Sequence, residues 1–246
     1  MKTKFFVILL IALITGCNKS NDLTSSEAFH NRSVGASANE LLSSVKYKSL
    51  KVEIQYMTGF APDAGALNHL QNFLSSYLNK PNGIAIVTKE ISASSNSAFS
   101  VNDIVAIEKQ NRSIFSSGEE MALYILYTNG NYTDNNVLGV AYKNTSAVLF
   151  GKKIRDNSGS IGQASRTKLE ATVLEHEVAH LLGLVDIGTA MQTPHKDLSH
   201  GNHCNNSNCL MYYASETTDI LGFLVTGNIP PLDANCIADL QANGGK

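Results

Sequence analysis

The pattern of apolar and polar positions over residues 50–91 predicts a strand, a helix and a second strand. Residues 50–57 (Leu-Lys-Val-Glu-Ile-Gln-Tyr-Met) alternate as a half-buried strand does. Pro-Asp at 62–63 opens a helix that runs to about residue 79, and the turn-forming residues 80–83 end it. A β-rich run over 84–91 follows. This order is typical of a crossover unit joining two parallel strands.

The middle of the chain predicts one more helix and three strands. Ser100 is placed as the cap of a helix that reaches about residue 112. The strand candidates cover 121–127, 137–142 and 147–153. Lys-Asn-Thr at 143–145 makes a short turn, so the last two strands are expected to form an antiparallel hairpin. The predicted fold class is therefore α+β, a mixed sheet with helices packed on it.

A helix predicted over 165–182 carries the most informative motif, His176-Glu177-Val-Ala-His180-Leu-Leu-Gly183. Residues four apart share one face of a helix, so His176 and His180 can bind one zinc ion. Glu177 lies beside them and can act as general base and then general acid. The flanking apolar residues predict a buried helix, in which unpaired histidines would be costly. A chance motif on a solvated helix is the less favoured alternative, and we predict a zinc-dependent hydrolase.

The N-terminus predicts export and a lipid anchor. Two lysines precede an apolar run over 5–14, which is too short to span a membrane. Residues 13–17 (Leu-Ile-Thr-Gly-Cys) resemble a bacterial lipobox, in which Cys17 would be lipidated; an ordinary signal peptide is the alternative. We expect a signal peptide over 1–17 and a flexible tether over 18–45. The catalytic domain would follow over 46–246, in the bacterial cell envelope, facing the periplasm or the cell surface.

Composition limits the partners of this domain. The chain has 246 residues, 43% of them hydrophobic, and a net charge of −2. About 200 residues can build one sizeable core. Because no basic run lies outside the signal segment, we do not expect nucleic acid as a partner. A membrane-anchored monomer acting on a peptide or protein is expected.

Two segments of the chain resemble the metzincin metallopeptidases. Residues 176–186 read His-Glu-x-x-His-x-x-Gly-x-x-Asp, and 203–211 read His-Cys-Asn-Asn-Ser-Asn-Cys-Leu-Met. The second segment is similar to the archaemetzincin pattern, although its histidine stands 20 positions after Gly183 instead of three. The resemblance implies a mixed sheet, a catalytic zinc ion and a 17-residue insertion. It implies His203 as the third zinc ligand. Asp186, placed as in the snapalysin type, is the alternative.

The same resemblance assigns roles to two residues after His203. Met211 would form the methionine turn beneath the metal. Tyr213 matches a tyrosine of astacin- and serralysin-like enzymes and would stabilise the tetrahedral intermediate. Core packing for Met211 and an ordinary buried or surface position for Tyr213 are the alternatives. His195 is expected at the surface, and a further metal shared with Asp197 or His200 is less favoured.

Three cysteines remain once Cys17 is set aside, and they allow two interpretations. A Cys204–Cys209 disulfide with Cys236 free suits an exported protein. The archaemetzincin resemblance instead implies a second, structural zinc held by Cys204, Cys209 and Cys236, with Asp239 standing where a fourth cysteine is expected. Both interpretations remain open at this point.

The predicted function is that of a zinc metalloendopeptidase. The resemblance implies that an extended peptide pairs with the edge strand at 137–142 through main-chain hydrogen bonds. A zinc hydrolase of non-peptide substrates is one alternative. A catalytically inactive surface binding lipoprotein is another, although Glu177 would have no purpose in it.

Overall fold

A computed structural model describes residues 27–246, and their central feature is a five-stranded sheet. The strands are β1 (Ser49–Met57), β2 (Ile84–Ile91), β3 (Ala98–Phe99), β4 (Glu120–Tyr127), β5 (Asn131–Tyr132), β6 (Gly139–Lys143) and β7 (Ser146–Leu149). The sheet has the order β2-β1-β4-β7-β6, while β3 and β5 pair separately. Neighbours in the sheet are parallel except β6, which runs antiparallel to β7 at one edge. The predicted mixed sheet is confirmed.

Besides a helical turn at residues 27–29, seven α-helices lie within the described residues. They are α1 (Ala38–Leu42), α2 (Ala64–Tyr77), α3 (Val101–Asn111), α4 (Gly151–Asp156), α5 (Arg166–Leu181), α6 (Leu221–Thr226) and α7 (Ala234–Ala242), with 3₁₀ turns at Tyr213–Glu216 and Thr218–Ile220. Ser100 caps α3 with a complete capping box, as predicted, and Ser165 caps α5. None of the helices within 27–246 has the length and apolar character needed to span a bilayer.

The strand, helix and strand predicted over 50–91 are present as β1, α2 and β2, with β1 and β2 parallel. The strand predicted over 147–153 is wrong in its second half, because α4 begins at Gly151. Phe150 and Ile154 are both buried and stand four residues apart, which is a helical spacing. A Cβ at Gly151 would lie 2.8 Å from the carbonyl oxygen of Thr128, so a larger residue would not fit there.

The flexible tether predicted over 18–45 is wrong from residue 27 onward. Leu41 and Leu42 of α1 are fully buried in the main core, and His30 is only 2% exposed. The carbonyl oxygen of Ile187 would lie 1.8 Å from a Cβ at Gly35, so this segment packs directly on the loop after α5. Burial of these leucines and of His30 makes the segment part of the domain despite its low overall hydrophobicity. Residues 1–26, including Cys17 and the predicted signal peptide, lie outside the described residues.

Helix α5 lies in the middle of the molecule. It contacts α2 on one side and strands β6 and β7 on the other. Every residue from Leu169 to Leu181 is buried. A helix surrounded in this way fixes the direction of each side chain that it carries, and this is where the histidine motif lies.

Candidate metal centre

The motif of α5 brings two imidazoles and a carboxylate into the interior. His176 and Glu177 are 0% exposed and His180 is 7% exposed. The ring centroids of the two histidines are 4.7 Å apart, as expected for residues four apart on one helix. Gly183 ends the helix with a φ of 82°, and a Cβ there would lie 2.6 Å from the backbone nitrogen of Thr189. Only glycine fits this turn without strain.

His203 lies against both helical histidines. Its ring centroid is 5.3 Å from that of His176 and 5.2 Å from that of His180. Asp186, the alternative third ligand, lies outside this cluster. It has a positive φ of 67°, its side chain is 51% exposed, and its carboxylate lies 3.6 Å from the ammonium group of Lys196. The chain leaves α5 in a direction that places Asp186 away from the histidine cluster. The following loop then brings His203 back to the cluster.

Hydrogen bonds orient two of the imidazoles. Nδ1 of His176 lies 2.7 Å from the carbonyl oxygen of Leu210, and Nδ1 of His203 lies 2.6 Å from that of His200. The Nε2 atoms of both rings are buried and have no hydrogen-bond partner among residues 27–246. Burial, followed by the neighbouring His176, lowers the pKa of His180 to about 3, so this ring is neutral. Imidazoles with unpaired, convergent Nε2 atoms fit a zinc ion.

Glu216 is a fourth member of the cluster, and the sequence analysis missed it. Its carboxylate oxygens lie 3.4 Å from Nε2 of His203, 3.6 Å from Nε2 of His176 and 3.9 Å from Nε2 of His180. One ligand atom from each of the four residues lies within 4.8 Å of the others. Burial opposes ionisation of the Glu216 carboxyl group, but the rings of His176 and His203 hold the pKa of this group well below its usual range. The only sign in the sequence is that Glu216 is the first acidic residue after Met211.

Glu177 faces a cleft beside the cluster. The cleft has a volume of about 370 Å³ and lies between edge strand β6, the loop around His203, and Glu216. Both carboxylate oxygens of Glu177 are buried without a hydrogen-bond partner in the described part of the chain. Burial, together with the Glu216 carboxylate, raises the pKa of Glu177 well above its usual range. A carboxylate held in this way is not already paired with a neighbouring side chain.

A second cluster forms from the three cysteines and His195. The Cys209 and Cys236 sulfurs are 3.6 Å apart, and Nδ1 of His195 lies 3.3 Å from the Cys204 sulfur and 4.0 Å from that of Cys236. Four ligand atoms held tetrahedrally at zinc distances of about 2.0–2.3 Å would be about 3.3–3.8 Å apart. Hydrogen bonds involving the Cys204 and Cys236 thiols lower the pKa of Cys209 to about 4, which favours a thiolate. This cluster also fits a metal ion.

The composition of this second cluster differs from both expectations. All three cysteines are free and buried, so the predicted Cys204–Cys209 disulfide is not formed. Asp239, expected as the fourth ligand, instead contacts Nε2 of His195 at 2.8 Å. His195, expected at the surface, is 1% exposed and lies among the sulfurs. Asp233 also belongs to this group: its carboxylate accepts from the Cys204 thiol at 3.3 Å, and one ligand atom each of His195, Cys204, Asp233 and Cys236 lies within 4.8 Å of the others.

Comparison with known proteins places the fold. No family model matches the sequence, and no curated protein matches it. Among solved structures, archaemetzincin from Methanopyrus kandleri superposes with a TM-score of 0.53 at 16% identity, covering 80% of this chain and 96% of that one. The fold is that of archaemetzincin. Metalloproteinase-II from Bacteroides fragilis aligns with a TM-score of 0.47 at 13% identity, over 84% of this chain and 60% of that one.

Within this archaemetzincin fold, Met211 lies in a turn that supports His176. The backbone N–H of Tyr212 donates to the carbonyl oxygen of Cys209 at 3.0 Å and so closes the turn. Leu210 in that turn is the residue whose carbonyl oxygen contacts His176. Cys209 begins the turn and the next residue, Leu210, contacts His176. These two residues therefore connect the cysteine cluster to the histidine cluster.

Tyr213 does not take the place expected of it. Its ring stacks on His200 with centroids 3.7 Å apart and planes inclined by 8°. The Tyr213 ring also contacts the ring of Tyr212, and among the described residues it makes no ring contact with His176, His180 or His203. His200 also pairs with Asp197 at 2.6 Å, so neither of these residues joins His195 in a further metal site.

Proposed function

We propose that this protein is a zinc-dependent metallopeptidase. The observation that supports the proposal is the joint position of three convergent imidazoles and an unpaired glutamate at one cleft. His176, His180 and His203 would hold the zinc ion, and Glu177 would carry protons. The archaemetzincin fold agrees with this reading at the level of architecture.

When bound, zinc would supply a Lewis acid that polarises the scissile carbonyl and acidifies water. Glu177 would take a proton from the attacking water molecule and later give it to the nitrogen of the leaving amine. Strand β6 would orient the substrate, since its outer edge is unpaired within residues 27–246 and can add an extended peptide as a further strand. Such pairing selects backbone more than side chains, so we propose peptides and proteins as the substrate class.

The test is the isosteric change Glu177→Gln in the zinc-loaded protein. We expect peptide hydrolysis to fall by a factor of about 10² to 10⁴ because the base is removed. Zinc content should remain that of the wild type, since Glu177 does not belong to the cluster of ligand atoms. Cleavage of a labelled peptide library, read by mass spectrometry, measures turnover and elemental analysis measures zinc.

Glu175→Gln is the matched control for this experiment. Glu175 lies on the same helix but lines a different cavity, with His69 and Phe73. Its substitution should leave turnover unchanged. Zinc-loaded wild-type protein that cleaves no peptide in the library would reject the peptidase proposal, and cleavage of ester or amide probes alone would favour a non-peptide hydrolase. Loss of zinc in Glu177→Gln would reject the assignment of Glu177 as a base that does not itself bind zinc.

We also propose that His195, Cys204, Cys209 and Cys236 hold a second, structural zinc ion. Support comes from the sulfur and nitrogen separations of 3.3–4.0 Å. Backbone N–H groups of Met211 and Asp233 each donate to the Cys209 sulfur at 3.4 Å, an arrangement suited to a thiolate. A metal here would tie α7 to the turn that supports His176.

We propose that a lipid at Cys17 anchors the protein in the bacterial cell envelope, on the periplasmic or outer side, where it acts as a monomer. The lipobox-like sequence supports this proposal. Metabolic labelling with a fatty acid is expected to mark the wild type and not Cys17→Ser, and labelling of both would reject the anchor.

A further inference from the structure

The Glu216 carboxylate occupies a position that neither the general base nor the three histidines explain. It lies on the 3₁₀ turn Tyr213–Glu216 and points into the space onto which the histidines converge. Its side chain is 25% exposed, so it lies between the cluster and the cleft. The Nε2 atoms of His176 and His203, buried and without hydrogen bonds among residues 27–246, face the same space.

The distances are those of four ligands around one centre. Ligand atoms bound tetrahedrally to zinc at about 2.0–2.2 Å are separated by about 3.3–3.6 Å. Oε2 of Glu216 lies 3.6 Å from Nε2 of His176 and 3.9 Å from Nε2 of His180, and Oε1 lies 3.4 Å from Nε2 of His203. These separations are longer than ordinary hydrogen bonds of 2.7–3.2 Å. The carboxylate is therefore placed as a ligand would be, with both of its oxygens facing imidazole nitrogens.

We propose that Glu216 is a fourth protein ligand of the ion bound by His176, His180 and His203, and that it closes the resting site. A catalytic zinc ordinarily keeps one position open, whereas a structural zinc has four protein ligands. The resting protein is thus latent, and Glu216 must leave the ion before a substrate can be cleaved. This inference rests on the proposed metallopeptidase site and adds its regulation.

The backbone around Glu216 links this closure to the substrate edge. The carbonyl oxygen of Glu216 accepts from the N–H of Leu138 at 2.8 Å, and the N–H of Thr218 donates to Asn136 at 2.9 Å. Thr217 forms an isolated bridge with Val137, directly before β6. A peptide added to the edge of β6 would therefore lie against the segment that holds the Glu216 turn. Peptide binding at β6 is thus coupled to release of the Glu216 carboxylate from the ion.

Cobalt substitution tests the proposal without relying on activity. Co²⁺ replaces zinc in such sites, and its visible spectrum reports the number and kind of ligands. In the wild type, adding azide should leave the spectrum unchanged because the four protein ligands exclude it. In Glu216→Ala, azide should enter the vacated position and shift the spectrum. Zinc affinity of the variant, measured by competition with a chelator, should fall by about tenfold or more. Removing even a group that only supports a metal ligand weakens metal binding by that factor.

Two further variants make the outcome specific. Asp219→Asn changes an exposed carboxylate in the neighbouring 3₁₀ turn and should behave as the wild type. Glu216→Gln keeps the size of the side chain but removes its charge, and should resemble Glu216→Ala in its response to azide. At saturating zinc, Glu216→Ala should cleave peptides with a higher kcat/KM than the wild type, because no ligand has to be displaced.

The failures are distinguishable. If the wild-type protein binds no Co²⁺ or Zn²⁺ at the histidine cluster, the proposed metallopeptidase itself is rejected. If the metal binds, but azide alters the wild-type spectrum and Glu216→Ala has wild-type affinity, the histidine site stands and only the ligand role of Glu216 is overturned.

Discussion

Asp239 holds His195 in place, with Oδ2 of the carboxylate 2.8 Å from Nε2 of the imidazole in a fully buried pair. The other oxygen of Asp239 accepts from the backbone N–H of Gln192 at 2.6 Å. A carboxylate that fixes one nitrogen of a histidine directs the other nitrogen at a metal, and this arrangement is common beside zinc. Nδ1 of His195 accordingly faces Cys204 and Cys236.

This relationship predicts different effects for His195 and Asp239. If the proposed second zinc site is present, His195→Ala should lower the zinc content from two ions per chain to one, because it removes a ligand of that site. Asp239→Asn should retain both ions but bind the second about 10- to 100-fold more weakly, because only the support of the ligand is lost. Zinc stoichiometry and chelator competition measure both effects. Two tightly bound ions in His195→Ala would show that this histidine is not a ligand.

The third ligand of the histidine cluster gives the second prediction. His203→Ala should weaken zinc binding and lower peptide cleavage, because it removes one of the three imidazoles that converge on the proposed site. Asp186→Asn should retain both, since Asp186 pairs with Lys196 outside the cluster and asparagine tolerates the positive φ of 67°. Elemental analysis after dialysis separates the two variants. The opposite pattern would return the third ligand to Asp186.

Gly139 provides a third prediction, because its lack of a side chain makes room for Glu177, the proposed general base. A Cβ at this position would lie 2.7 Å from Oε1 of Glu177 and 2.7 Å from Cγ1 of Val173. Gly139→Ala should therefore displace Glu177, reduce turnover and destabilise the fold by about 1–3 kcal/mol, while zinc content stays the same. Gly222→Ala is the control, since nothing lies within 4 Å of its Cβ position. Equal turnover in the two variants would count against this packing.

His30 gives a prediction about acid stability. Burial, and then the charges of Arg112 and Arg32, lower the pKa of His30 from 6.5 to about 3. Nε2 of the ring accepts from the backbone N–H of Ser116 at 3.0 Å, which also favours the neutral form. The unfolded chain takes up the proton first as the pH falls. The stabilisation is therefore complete above pH 6.5 and is lost progressively between pH 6.5 and 3.

The measurement is the free energy of unfolding in urea at pH 7 and pH 5. The wild type should lose about 1–2 kcal/mol more between these pH values than His30→Gln does. His69→Gln, at an exposed histidine of α2, is the control and should follow the wild type. An identical pH dependence for wild type and His30→Gln would mean that His30 does not titrate differently on folding.

Local sequence patterns determined a large part of this protein. The alternation at 50–57, the capping residue Ser100, and the helical spacing of His176 and His180 depend on near neighbours, and these elements form as predicted. The mixed sheet and its antiparallel edge strand follow from the same patterns. Such features are readable because hydrogen bonding and side-chain direction within one element repeat with a fixed period.

Tertiary structure decided which residues from distant parts of the chain share a site. Sequence spacing alone did not join Glu216 to the three histidines, nor His195 to the cysteines, because loop paths set these contacts and no periodicity describes a loop. The same reason explains why Tyr213 stacks on His200 and why residues 27–45 pack as part of the domain. Burial and desolvation act on whichever groups the folded chain brings together. The fold therefore decides which residues share each cluster, whereas the sequence alone decides the helical spacing of His176, Glu177 and His180.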